Sequence, residues 1–179
     1  EFRNLPNNHF YTKCFLYIVT KIVKYAKKNN LKVLVALNSS RIEKKKITRK
    51  IETDFFKKIY PKFYFNYNNS YQNAELSKLS ICLASNLGAD LLARGKKVLF
   101  LPFLEKYSKK YKSMYLKKTS QYICKKKDEK EIFRKIDGML KLKNDKWKKI
   151  LNNSEDKFIF DKKNKIMKKL IQNIIYNAN

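Results

Sequence analysis

Apolar side chains return at three- and four-residue intervals at Phe15, Ile18, Val19, Ile22, Val23 and Ala26. That spacing predicts an amphipathic helix over residues 15–28, brought to an end by Asn29 and Asn30. Residues 31–37, Leu-Lys-Val-Leu-Val-Ala-Leu, form a nearly continuous β-rich run and predict a strand buried on both faces. A polar loop opens at Asn38, and a second helix is expected to end before Pro61 with Ile47, Ile51, Phe55 and Ile59 on one stripe. Residues 63–67 read as a short aromatic strand, 71–76 as a short helix, and 79–84 as a second apolar strand. A helix over 87–94 runs into Gly95 as its C-terminal cap, and 97–101 is a further buried strand. Residues 121–124 suit an edge strand, and helices are expected over 128–142 and 145–151. In residues 163–176, Ile166, Leu170 and Ile174 join Met167, Ile171 and Ile175 on one broad face, which predicts a C-terminal helix packed on the domain. Helices alternating with strands in this way predict an α/β domain with a mostly parallel sheet and right-handed crossovers.

The length of 179 residues fits a single domain over residues 1–179, with no internal repeat and no low-complexity linker. At 44% hydrophobic and 14% aromatic residues, the chain carries enough apolar surface to offset its ordering entropy, which excludes a disordered basic tail. No apolar run approaches the roughly 18–20 residues needed to span a bilayer, and residues 1–10 lack the charged and apolar regions of a signal peptide. Cys14, Cys82 and Cys124 are odd in number, lack C-x-x-C spacing and sit among apolar neighbours. They are expected as buried free thiols of a reducing compartment. With His9 the only histidine, neither a zinc site nor a histidine-based acid–base pair is expected.

Charge changes the picture in a specific way. The 43 Lys and Arg against 15 Asp and Glu leave a net charge of +28, which first suggests nucleic acid. Only five of these cations are arginine (Arg3, Arg41, Arg49, Arg94 and Arg134), whereas phosphate and base-edge recognition favours the guanidinium fork. The accompanying excess of Asn, Ile, Tyr and Phe is what an AT-rich coding sequence produces, and it makes a nucleic-acid partner the weaker expectation. Residues 106–127 hold nine Lys and no acid, whereas residues 63–93 carry only Glu75, Lys78 and Asp90. The basic stretch is a solvated face or a surface attracted to anionic lipid headgroups.

Open α/β sheets bind ligands beyond the carboxyl ends of their strands, where helix N-termini present free N–H groups. The segment Ala84-Ser85-Asn86-Leu87-Gly88-Ala89-Asp90 has that form: a strand end, a polar turn and a helix start. The amides of Asn86, Leu87 and Gly88 with the Ser85 hydroxyl could cradle a diphosphate, Gly88 would permit close backbone approach, and Asp90 would accept from a ribose or sugar hydroxyl. Spacing alone equally allows Ser85 or Asn86 to be a helix cap and Asp90 a complement to the helix dipole. A second cluster, Asn38-Ser39-Ser40-Arg41 followed by Lys44, Lys45 and Lys46, would open on the same edge of a parallel sheet. It is either a solvated basic loop or a second wall of the same cleft, with Arg41 as its phosphate-directed fork.

Residues 79–101, LSICLASNLGADLLARGKKVLFL, resemble the element S-x-LG-x-E-x-LARGKKV in the nucleotide-sugar-binding half of GT-B glycosyltransferases. The resemblance is nearest to the surface-carbohydrate, lipopolysaccharide and capsule biosynthesis proteins. ETDFFKKIY over 52–60, NSYQNAELSKLSICLAS over 69–85 and KFIFDKKNKIMKKLI over 157–171 follow in the same order, so it covers roughly residues 16–175. It implies a Rossmann-like three-layer domain that is one half of a GT-B fold, with donor phosphates held at Ser85, Asn86, Leu87 and Gly88 and the nucleoside or sugar faced by Asp90. This chain departs from the pattern with Asn86 in place of Thr and Asp90 in place of Glu.

The implied activity is transfer of a sugar from a nucleotide sugar to a polysaccharide or lipopolysaccharide acceptor at the cytoplasmic face of a membrane. No D-x-D motif is present and no metal or other cofactor is expected. The acceptor side and its general base belong to the N-terminal half of such enzymes. A further domain or partner subunit is therefore implied, and no catalytic residue is assigned here. The rival expectations are a basic nucleic-acid-binding module and a non-catalytic partner subunit at the membrane surface.

Overall fold

The computed structural model describes residues 10–37, 45–66, 69–83, 85–103 and 121–154. Its first element, α1 (Phe10–Lys28), begins five residues before the apolar periodicity does. It ends where Asn30 adopts a left-handed φ of 51°. There the amide of Leu31 donates to the Ala26 carbonyl at 2.9 Å and that of Asn30 to Lys27 at 3.4 Å, which closes the helix end as a Schellman turn.

Strand β1 (Leu34–Val35), helix α2 (Lys45–Ile59) and strand β2 (Tyr64–Phe65) form one strand–helix–strand unit. The two strands pair in parallel, with Leu34 opposite Tyr64 and Val35 opposite Phe65. The expected seven-residue strand buried on both faces is corrected here to a two-residue ladder. Val35 and Leu37 turn inward while Lys32 and Ala36 are exposed, the alternation of a strand with one covered face.

A second unit follows α3 (Ser70–Glu75): strand β3 (Ser80–Cys82), helix α4 (Asn86–Ala93) and strand β4 (Val98–Phe100), again parallel, with Ile81 opposite Leu99. β4 is fully buried, as its sequence predicts. Residues 121–124 contribute a single parallel bridge rather than a full edge strand, Ile123 opposite Phe100. The Phe100 amide donates to the Tyr122 carbonyl at 2.8 Å, and Cys124 donates back to Phe100 at 2.9 Å. Helices α5 (Glu129–Lys141) and α6 (Asn144–Asn152) close the described chain. Among the described residues the strands form two separate two-stranded sheets, not one continuous sheet.

Successive side chains of β4 enter different clusters. Leu99, with Leu101 beyond the strand, packs against Cys14, Ile18 and Tyr25 of α1 and Ile132 and Ile136 of α5. Val98 and Phe100 pack with Leu91, Leu92, Tyr122 and Trp147. Helix α1 joins the two units because it is apolar on two sides: Val19 and Val23 belong to a third cluster with Val35, Leu37 and Phe63.

The stripe expected on α2 is only half used. Phe56 and Ile59 pack on that third cluster, and Phe55 meets the Phe15 ring at 6.2 Å, but Ile47 and Ile51 are 70% and 49% exposed. The ring contacts of α2 with Phe15 of α1 and with Phe63 come from Phe55 and Phe56, in its C-terminal half. No helix among the described residues is long and apolar enough to cross a membrane. The helix expected over 163–176 lies outside the described residues.

Candidate functional site

Helix α4 starts where a hydroxyl can cap it. Ser85 is extended, with φ −141° and ψ 131°, and its side chain accepts from the Leu87 amide at 3.2 Å. The Gly88 amide donates to the Ser85 carbonyl at 3.0 Å. Two of the three amides expected to cradle an anion are thus engaged within the helix end. Asn86 supplies the amide at the helix tip, and the Ser85 hydroxyl still has its own proton to donate. Positive potential from the helix dipole is directed at this point.

Gly88 has a packing role that its place in the sequence does not reveal. It is buried, and a Cβ built on it would lie 2.6 Å from two atoms of the Phe100 ring and 3.2 Å from Cys82 Sγ. The packing of α4 onto β3 and β4 leaves no room for a side chain here. Leu87 likewise faces inward, half-buried against the cluster around Leu91 and Phe100.

Asn86, Asp90 and Arg94 follow one another at four-residue spacing on the outer face of α4, which brings Asp90 into line with the helix tip. Asp90 meets a residue that the motif did not single out. The Tyr71 hydroxyl on α3 donates to Asp90 Oδ2 at 2.7 Å, and the Arg94 guanidinium lies 4.8 Å from the centre of the Tyr71 ring. The hydrogen bond to Asp90, with burial and the carboxylate charge, raises the Tyr71 phenol above the usual tyrosine range. Asn69 aims α3 at this contact through a capping box. Its side chain accepts from the Gln72 amide at 2.9 Å, and the Gln72 side chain accepts from the Asn69 amide at 3.2 Å. An ion pair between Lys96 and Glu75 ties the end of α3 to the turn after α4. No sequence signal marks Tyr71: only the tertiary contact of α3 with α4 brings it to Asp90 and Arg94.

The turn that ends α4 is equally defined. Gly95 has φ 76°, its amide donates to Leu92 at 2.8 Å, and Lys96 donates to Leu91 at 2.9 Å. Trp147 of α6 donates its indole N–H to the Gly95 carbonyl at 2.9 Å. Arg41, with the whole loop from Asn38 to Lys44, and Ala84 lie outside the described residues. The three cysteines are free, with Cys14 and Cys124 buried and Cys82 half-buried. Burial pushes the Cys82 and Cys124 thiols up to about 11, Glu131 adding to the effect at Cys124. None is a reactive thiolate near neutral pH. Among the described residues no group of three His, Cys, Asp or Glu side chains is gathered as a metal site would require. Comparison with protein-family models, curated proteins and solved structures finds no match to this chain.

Proposed function

We propose that the chain is the donor-binding half of a GT-B-like glycosyltransferase, a Rossmann-like three-layer domain working at the cytoplasmic face of a membrane. It takes a sugar from a nucleotide sugar toward a surface polysaccharide or lipopolysaccharide acceptor. The observation that carries this reading is the parallel β3–α4–β4 unit with Ser85 at the N-cap of α4, just beyond the carboxyl end of β3. That is the position at which open α/β sheets take up phosphorylated ligands.

In this reading the Asn86 amide, the Ser85 hydroxyl and the α4 dipole meet the donor diphosphate and stabilise the charge that grows on it as the glycosidic bond breaks. Arg41 adds a cation to the leaving group. Asp90 keeps one oxygen on Tyr71 and offers the other to a ribose or sugar hydroxyl. The acceptor and the general base come from an N-terminal domain or partner subunit, and the diphosphate site as read here needs no metal.

Calorimetric titration with uridine- and guanosine-diphosphate sugars tests the assignment. The wild type should bind one of them, with Asp90→Ala and Arg41→Ala each weakening it by roughly ten- to a hundredfold, the worth of a hydrogen bond to a charged group. Tight binding indifferent to both substitutions, or a folded chain that binds none of these donors, would overturn it.

A further inference from the structure

Two lysine rows that are distant in sequence lie side by side in the fold. On α1, Lys13, Tyr17, Lys21, Lys24 and Lys28 recur at intervals of three and four and so share one face. The opposite sides of that helix are occupied by Cys14, Ile18 and Tyr25 and by Val19 and Val23, so burial fixes the lysine face outward. The row runs for about 22 Å at the rise of an α-helix.

Beside it lies the approach to α5, which carries Lys125, Lys126, Lys127 and Lys130, all exposed. Three contacts hold the rows together. Lys127 Nζ sits 4.9 Å from the centre of the Tyr17 ring, with Lys21 Nζ 5.2 Å from the same centre. The Tyr17 hydroxyl donates to the Lys127 carbonyl at 3.4 Å. Glu129 accepts from Lys21 at 2.6 Å and from Lys24 at 2.5 Å.

Eight lysines therefore share one surface with Asp128 and Glu129 and with Glu131, which lies within electrostatic reach of Lys126 and is ion-paired to Arg134. These acids are already engaged. Asp128 caps α5 by accepting from the Glu131 amide at 3.0 Å, and the two lysine hydrogen bonds hold Glu129 below the usual carboxylate range. Among the described residues, no carboxylate comes within ion-pair distance of Lys13, Lys28, Lys125, Lys126 or Lys130, and Glu131 feels the charge of Lys126 only from farther off.

We propose that this face, formed by one side of α1 and residues 125–130, docks the protein on an anionic lipid surface. The occupant is argued from charge and shape. The patch is a straight row and its neighbour, made of flexible point charges that suit a laterally mobile layer of headgroups. Neither row contains an arginine to grip phosphate and base edges, and the one aromatic ring, Tyr17, lies under lysines rather than open for base stacking. The proposal is independent of donor binding.

Co-sedimentation with vesicles tests it in the absence of any nucleotide, so its failure leaves the donor site untouched. The full chain should pellet with mixed phosphatidylcholine and phosphatidylglycerol vesicles and not with pure phosphatidylcholine, and rising salt should release it. Reversing Lys13, Lys28, Lys125 and Lys126 to Glu should lower partitioning by roughly a hundredfold or more, at about fivefold per lysine near the surface. Changing the same four to Gln should give a smaller fall without new negative charge. Reversing Lys57, Lys58, Lys146 and Lys148, exposed on α2 and α6, should have a much weaker effect. Equal losses from both sets of four would overturn the proposal, as would no preference for anionic vesicles. Tighter binding to duplex DNA at the same salt, lost with the first set, would assign the face to nucleic acid instead.

Discussion

The missing side chain of Gly88 makes room for the Phe100 ring. Gly88→Ala should destabilise the protein by about 1–3 kcal/mol through overpacking. Gly138, within α5, has nothing within 4 Å of a built Cβ, so Gly138→Ala should stabilise by about 0.5–1 kcal/mol. Urea denaturation midpoints moving in opposite directions would verify the pair.

The thiols give a pH signature. Cys82 and Cys124 lie near 11 in the fold against 9.0 when unperturbed, so the folded chain holds their protons to higher pH. Their contribution to stability is complete below about pH 9 and is lost as pH rises toward 11. A Cys82→Ala, Cys124→Ala variant should show a shallower decline of Tm across that window than the wild type.

Elements were legible in the sequence where apolar periodicity and end signals agreed. Helix α4 is the clearest case, with Ser85 at one end and Gly95 at the other, both in the backbone conformations their types favour. The strand over residues 31–37 is less buried than its sequence predicts, because a strand's burial depends on how many faces its sheet has covered. Residues 31–37 suit a central position, but among the described residues their sheet has two strands. The α2 stripe was overcalled for a related reason: periodicity tells which residues share a face, not how far the neighbouring element extends along it. Glu52 and Thr53 are buried on that helix while Ile47 is exposed.

The role of α6 was hidden as well, since a tryptophan at the right spacing says nothing of its indole N–H. That bond fastens α6 to the turn after α4. Trp147→Phe, which keeps much of the ring but abandons the Gly95 carbonyl, should cost about 1–3 kcal/mol. Trp147→Ala should cost about 3–5 kcal/mol. Thermal unfolding of the two variants separates the hydrogen bond from the packing.

At the scale of the molecule, two strand–helix–strand units among the described residues are joined through a helix with two apolar sides, and a charge of +28 is distributed unevenly along the sequence. The order of elements and the parallel pairing follow from the sequence alternation. The gathering of lysines from residues 13–28 and 125–130 does not, because only tertiary contact through Tyr17 and Glu129 makes them neighbours. For the same reason Tyr71 was missed at the candidate site while Ser85 and Asp90, which lie within one local motif, were found.

A chain this basic attracts any nucleotide, so a specific donor site must be separated from diffuse attraction by address. Amide chemical-shift mapping during titration with a nucleoside diphosphate does so in one experiment. The largest changes should fall on Ser85, Asn86 and Asp90, saturate, and persist when salt is raised. Changes confined to Lys13–Lys28 and Lys125–Lys130 that vanish with salt, with the amides of Ser85 and Asn86 unmoved, would contradict the assignment of a donor site to the N-terminus of α4.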